Sequence, residues 1–165
     1  MAVEAPLSKY KKDNYRIAIG VFLLLAIVFA YDGYLSRYEW SKRHSFYQEH
    51  VLDNDGKPDG TMLFNQRVPP VFVVAAVICA VRLGMIKGRK ITAGDDALIL
   101  ADGSSIPYER IEQIDKTLFD SKGSFVISYK NSGGGESNLK LESRAYDNLA
   151  SVLDVLTAKL TGQSA

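Results

Sequence analysis

The sequence predicts an α+β membrane protein: two transmembrane helices followed by an antiparallel β-barrel or sandwich with a C-terminal capping helix. Two observations predict the helices: the long apolar blocks at residues 17–31 and 68–86. A third predicts the domain. After Gly88 the long apolar runs give way to short alternating ones, and these end in one amphipathic stripe. The expected boundaries are an N-terminal cytoplasmic segment 1–14, a first span 15–35 and an extracytoplasmic connection 36–67. A second span 68–87, a cytoplasmic domain 88–161 and a tail 162–165 complete the chain.

The first block has no charge between residues 17 and 31, and residues 32–34 lengthen it. Eighteen residues of helix measure roughly 27 Å at about 1.5 Å per residue, which just crosses a hydrocarbon core of roughly 30 Å. Tyr15, Tyr31 and Tyr34 are available as interfacial anchors. A cleaved signal peptide is the competing reading. Lys9, Lys11, Lys12 and Arg16 would be its positive region, and Val28-Phe29-Ala30 its cleavage site. The apolar stretch is long for that role, and an aromatic helical pattern continues past Ala30. Retention is therefore expected.

The second block opens with Pro69-Pro70, which suit the first turn of a helix, where a missing N–H costs little. Arg82 interrupts it about one turn before Lys87, close enough for its guanidinium to snorkel to the headgroups. Arg82, Lys87, Arg89 and Lys90 are the candidate lipid-headgroup contacts. Cys79 is the sole cysteine, so an internal disulfide is excluded.

Flanking charge sets the direction. Lys9, Lys11, Lys12 and Arg16 precede the first span, and Arg82, Lys87, Arg89 and Lys90 close the second. Both termini should then be cytoplasmic in a multi-pass inner-membrane protein, with the connection outside.

That connection is dense in aromatics. Tyr31, Tyr34 and Tyr38 recur at helical spacing, and Glu39 stands four residues before Arg43. The first helix is expected to run on to about His50. Tyr34, Tyr38, Trp40, Phe46 and Tyr47 are the candidate partner contacts. The following "DNDGKPDG" fails as a calcium loop. With Gly56 at the sixth place, the first and twelfth places are Val51 and Met62. It reads as a polar turn.

In the domain, Ile91, Leu98 with Leu100, Ile106, Ile111 with Ile114, Phe125 to Tyr129, and Leu139 with Leu141 mark about six strands. Asp102-Gly103 is a hairpin turn. The glycines 133–135 lack the Lys-Ser/Thr of a phosphate loop and read as a flexible hairpin tip. Tyr146, Leu149, Val152 or Leu153, Leu156 and Leu160 form the terminal helical stripe, with Ser143 as its candidate cap.

The stretch "ITAGDDALILADGSSIPYERIEQIDKTLFDSKGSFVISY", with the strand pair "IPYERIEQID", resembles the bacterial PH-like domains of small membrane proteins. The resemblance covers residues 90–160. It implies an antiparallel barrel plugged by its last helix, behind one or two membrane helices, and it implies no catalytic residues.

Net charge is +1, which gives no global attraction to nucleic acid. The chain from Gly88 onward has neither histidine nor cysteine, and no nucleophile–base pair or metal set is legible. The expected function is therefore non-enzymatic, without cofactor or small-molecule substrate. It is that of a membrane-anchored scaffold or accessory subunit of a larger membrane complex. Its partners would be the lipid bilayer and other membrane subunits. The alternative is a self-standing homo-oligomeric module that binds anionic lipid through its juxtamembrane basic residues.

Overall fold

A computed structural model describes residues 2–163. The fold is α+β, with two antiparallel sheets and two long apolar helices. The chain divides into two compact units. One is Asn14–Gly84; the other combines residues 2–13 with residues 85–163.

The second of these units carries the sheets. Strands β1 (Val3–Pro6), β2 (Lys90–Ala93), β3 (Ala97–Ile99) and β4 (Ser105–Pro107) form one sheet in that spatial order. Strands β5 (Ile111–Asp115), β6 (Ser124–Lys130) and β7 (Glu136–Glu142) form the other. A single turn of helix, α4 (Phe119–Lys122), joins β5 to β6, and α5 (Leu149–Gln163) ends the unit. No ladder joins the two sheets among the described residues, so they do not close into a barrel.

The six stretches expected to be strands fall on β2 to β7, except that Leu100 lies one residue past the end of β3. The seventh strand, β1, comes from residues 1–14, which were expected to stand apart from the domain. Val3, Ala5 and Leu7 alternate with exposed Glu4 and Pro6, the two-residue period of a half-buried strand. Ala5 and Leu7 are 0% and 2% exposed. Pro6 is tolerated because β1 is an edge strand. Val3 to Pro6 pair antiparallel with Ala93 to Lys90, so the whole of Asn14–Gly84 is an insertion between two neighbouring strands.

The β3–β4 hairpin turns at Asp102-Gly103, as expected. Gly103 takes a positive φ of 89° that a side chain would disfavour, and Asp102 Oδ1 accepts hydrogen bonds from the amide and hydroxyl of Ser104. The β6–β7 hairpin tip holds Gly133–Gly135, where Asn131 Oδ1 accepts the amides of Gly133 and Gly135.

Both sheets and α5 share one core. Leu149, Val152, Leu153 and Leu156 of the helix pack with Ala5, Ile91, Leu98, Phe125 and Ile127. The helix starts later than its stripe suggested. Ser143 does not cap it; its hydroxyl donates to Gly123 O. Tyr146 precedes the helix and bridges Leu7. Asn148, with φ 60°, stands before the first turn, accepts the Ser151 hydroxyl and donates to Glu4 O on β1. The expected tail at 162–165 begins inside α5, and residues 164 and 165 lie outside the described residues.

In the unit Asn14–Gly84, α1 (Lys9–Ala30, shared with the other unit at its start) continues into a π-helical turn, Tyr31–Leu35. A short helix α2 (His44–Tyr47) and a second π-helical turn, Gln48–Leu52, lead to α3 (Gly60–Ile86). The stretches Lys9–Leu35 and Gly60–Ile86 are each long and apolar enough to cross a membrane, each holding an 18-residue window of mean hydropathy 2.1. Only Ala26 is buried in α1, while Ile17, Leu24, Ile27, Val71, Val74 and Ile78 are exposed. Both helices are thus apolar on most sides, with few of their residues buried inside the protein.

The helices meet through rings. Phe29 packs against Phe64 at 5.7 Å and Phe72 at 5.6 Å, and Phe22 against Phe72 at 6.3 Å. The helices come into backbone contact at Gly33, where an added Cβ would lie 2.6 Å from Asn65 O. Only glycine fits there.

Two boundaries differ from expectation. The first helix does not run on to His50. It widens into the π-helical turn and stops at Ser36, whose buried hydroxyl donates to Asp32 O. The second helix starts at Gly60, not at the prolines, because Asp59 caps it: Asp59 Oδ1 accepts the Met62 amide at 2.9 Å. Pro69 and Pro70 therefore lie inside the helix.

Candidate interaction surfaces

The connection between the long helices is a braced loop. Arg43 makes a two-pronged ion pair with Asp32, Nε and Nη2 each 2.9 Å from a carboxylate oxygen. It takes the place of the Glu39–Arg43 pair that helical spacing suggested, since the helix has ended before Glu39. His44 Nδ1 lies 3.1 Å from Ser36 O, and Ser41 donates to the Tyr31 hydroxyl at 3.2 Å. At the far side His50 Nδ1 lies 2.8 Å from Asp59 Oδ2. The Asp59 carboxyl is held below the usual aspartate range, first by the Met62 amide and then by His50. The "DNDGKPDG" stretch is a turn, with Asp55 and Gly56 at positive φ. Among the described residues no three His, Cys, Asp or Glu side chains are grouped to hold a metal ion.

The five candidate aromatic contacts do not form one patch. Tyr34 is taken up in pairing the long helices, its hydroxyl donating to Gln66 O at 2.6 Å. Tyr38 and Trp40 stack at 5.6 Å and 14°, and the Arg37 guanidinium sits 4.7 Å above the Tyr38 ring while donating to its hydroxyl. Trp40 is 68% exposed. Phe46 and Tyr47 instead pack on histidines: Phe46 on His50 at 4.3 Å, and Tyr47 on His44 at 6.1 Å. The outward-facing element is thus the stacked Tyr38–Trp40 pair with the Arg37 guanidinium against Tyr38. Local spacing gave no signal for the Asp32–Arg43 and His50–Asp59 pairs, which close loops across eleven and nine residues.

An open apolar groove of about 550 Å³ runs along the two long helices, lined by Ala26, Ala30, Tyr34, Pro69 and Pro70 among others. In the sheet-bearing unit, a second depression of about 590 Å³ lies between the end of β5 and α5, lined by Lys116, Leu153, Asp154 and Thr157.

The candidate headgroup contacts fall in both units. Arg82 belongs to Asn14–Gly84, and Lys87, Arg89 and Lys90 to the other; all four are exposed. Lys90 is ion-paired with Glu4 of β1.

The chain matches no protein-family model, no curated protein and no solved structure.

Proposed function

We propose that this chain is a non-enzymatic, membrane-anchored accessory subunit or scaffold of a larger membrane protein complex. The two long helices cross the inner membrane, both termini lie in the cytoplasm, and the sheet-bearing unit is a PH-like domain used for protein contact. The outward apolar faces of α1 and α3 support the membrane placement. The seven strands in two antiparallel sheets, with a last helix packed into their shared core, support the PH-like reading.

The observation that carries the subunit reading is the stacked Tyr38–Trp40 pair. An exposed tryptophan held rigid by a stacked tyrosine is the kind of residue that dominates protein interfaces, because little side-chain freedom is left to lose. The apolar groove with Ala26 and Ala30 in its lining offers a further helix two small residues to pack against.

The test is affinity purification of the full chain from gently solubilised membranes through a C-terminal tag, with the mass of the purified species measured. A stoichiometric second protein is expected, and Trp40→Ala should release most of it. Recovery of the chain alone, or only with copies of itself, would sink this reading.

A further inference from the structure

The β1–β2 pairing brings together two basic stretches about eighty residues apart in sequence. Pro6 stands opposite Lys90, and the Leu7 amide donates to Arg89 O at 2.9 Å. Lys9, Lys11 and Lys12, where the chain leaves β1 for α1, are thereby held beside Lys87, Arg89 and Lys90, where it returns from α3 to β2. Arg144 joins them, because Ser8 donates its hydroxyl to Arg144 O and its amide to Ala145 O. Five carboxylates share this end of the unit. Glu4 pairs with Lys90, Asp147 accepts the Lys9 amide, Asp102 lies in the field of Arg89, Glu142 lies in the field of Arg144, and Asp13 follows on α1. Seven cations against five anions leave a net +2 here. The remaining described residues of the same unit hold six cations and eight anions, a net −2. The described part of the unit is neutral overall and polarised.

We propose that this paired basic cluster binds the headgroups of anionic phospholipids in the leaflet that both long helices enter. The proposal rests on the membrane placement given above. Lys87 follows directly on Ile86, the last residue of α3, and the three lysines at 9, 11 and 12 occupy the first turn of α1. The cations are therefore tethered within a turn or two of both apolar helices, where a bilayer's phosphodiesters lie and where surface potential is strongest. A nucleic acid or acidic peptide would have to compete with a surface that the chain itself holds in reach. The strand pairing doubles the charge that either stretch presents alone, so each half should matter.

The experiment places the full chain in nanodiscs of phosphatidylcholine with a minor fraction of phosphatidylglycerol. Electron spin resonance then measures how far spin-labelled versions of each lipid are immobilised by the protein. Phosphatidylglycerol should be favoured about three-fold at low salt, and the preference should vanish near 1 M salt, where the screening length is about 3 Å. The triple variant Lys9→Gln/Lys11→Gln/Lys12→Gln should lose half or more of the preference. So should Lys87→Gln/Arg89→Gln/Lys90→Gln, while Lys116→Gln/Lys122→Gln at other exposed sites keeps it. Equal immobilisation of the two lipids overturns the proposal, as does an N-terminal triple variant that behaves like the unmodified chain. A chain that fails to enter the nanodisc overturns the membrane placement with it; a chain that enters without lipid preference overturns this proposal alone.

Discussion

The Tyr34 hydroxyl donates to the carbonyl of Gln66 at 2.6 Å, the very carbonyl that Pro70 deprives of its helical donor. A proline inside a helix leaves the carbonyl four residues earlier unpaired, which is costly where water is scarce. Here the neighbouring helix supplies the missing hydrogen. The Gln66 side chain returns the contact, its amide donating to Gly33 O at 3.1 Å. The prolines and the aromatic run, two features that look unrelated in sequence, are thus one device for joining two helices.

The pairing predicts a coupling between Tyr34 and Pro70. Tyr34→Phe should cost about 1 kcal/mol in the unmodified chain. In a Pro70→Ala background the restored amide serves Gln66 O, and the same change should cost almost nothing. Equilibrium unfolding of the four proteins in mixed micelles measures the cycle. An identical cost in both backgrounds would show that the hydroxyl contributes nothing through this carbonyl.

Asp59 predicts an acid-sensitive helix start. Its folded-state acidity is depressed, so its contribution is complete above the ordinary aspartate range and is lost as pH falls through the folded value. The Met62 amide, followed by nitrogen-15 NMR, should shift and lose its protection relative to the intrinsic exchange rate as pH falls through and below the ordinary aspartate range. Asp59→Asn keeps an acceptor and should remove the pH dependence, whereas Asp59→Ala should fray the first turn at every pH. A Met62 signal that titrates equally in Asp59→Asn would assign the transition to another group.

The insertion topology predicts that the sheet-bearing unit survives without its long helices, provided β1 stays. Residues 2–7 joined through an Asn-Gly turn to residues 89–163 should give a soluble, cooperatively folding domain, since the Leu7 amide already bonds Arg89 O. Residues 89–163 alone should melt at lower temperature, losing at least the roughly 1.5–3 kcal/mol that burying Leu7 contributes. Calorimetry of the two chains decides, and equal melting temperatures would mean that β1 is dispensable.

Much of this was legible in the residues. The long apolar helices, the Asp102-Gly103 hairpin and the stripe Leu149–Leu156 announce themselves through local period and turn chemistry. Strand β1 did not, because "VEAP" is four residues long and its partner Ile91 lies far along the chain; pairing across such a distance leaves no local trace. The break at Ser36 was hidden for the opposite reason. Tyr31, Tyr34 and Tyr38 keep helical spacing, but the helix widens into a π-helical turn in which Gly33 lies against Asn65 O, a contact from far along the chain, and it ends there. Of the five aromatic candidates, only Tyr38 and Trp40 came together, since stacking depends on that break.

The placement of β1 also sets a clock on synthesis. It is made first, and its partner β2 follows roughly eighty residues later. At about 5–20 residues per second, β1 waits roughly 4–16 s with its edge unpaired. Through that interval the domain cannot close, and a chain that stalls before Lys90 never closes it. Completion of the sheet is therefore a built-in receipt: it registers that both long helices, and the loop between them, have already been made.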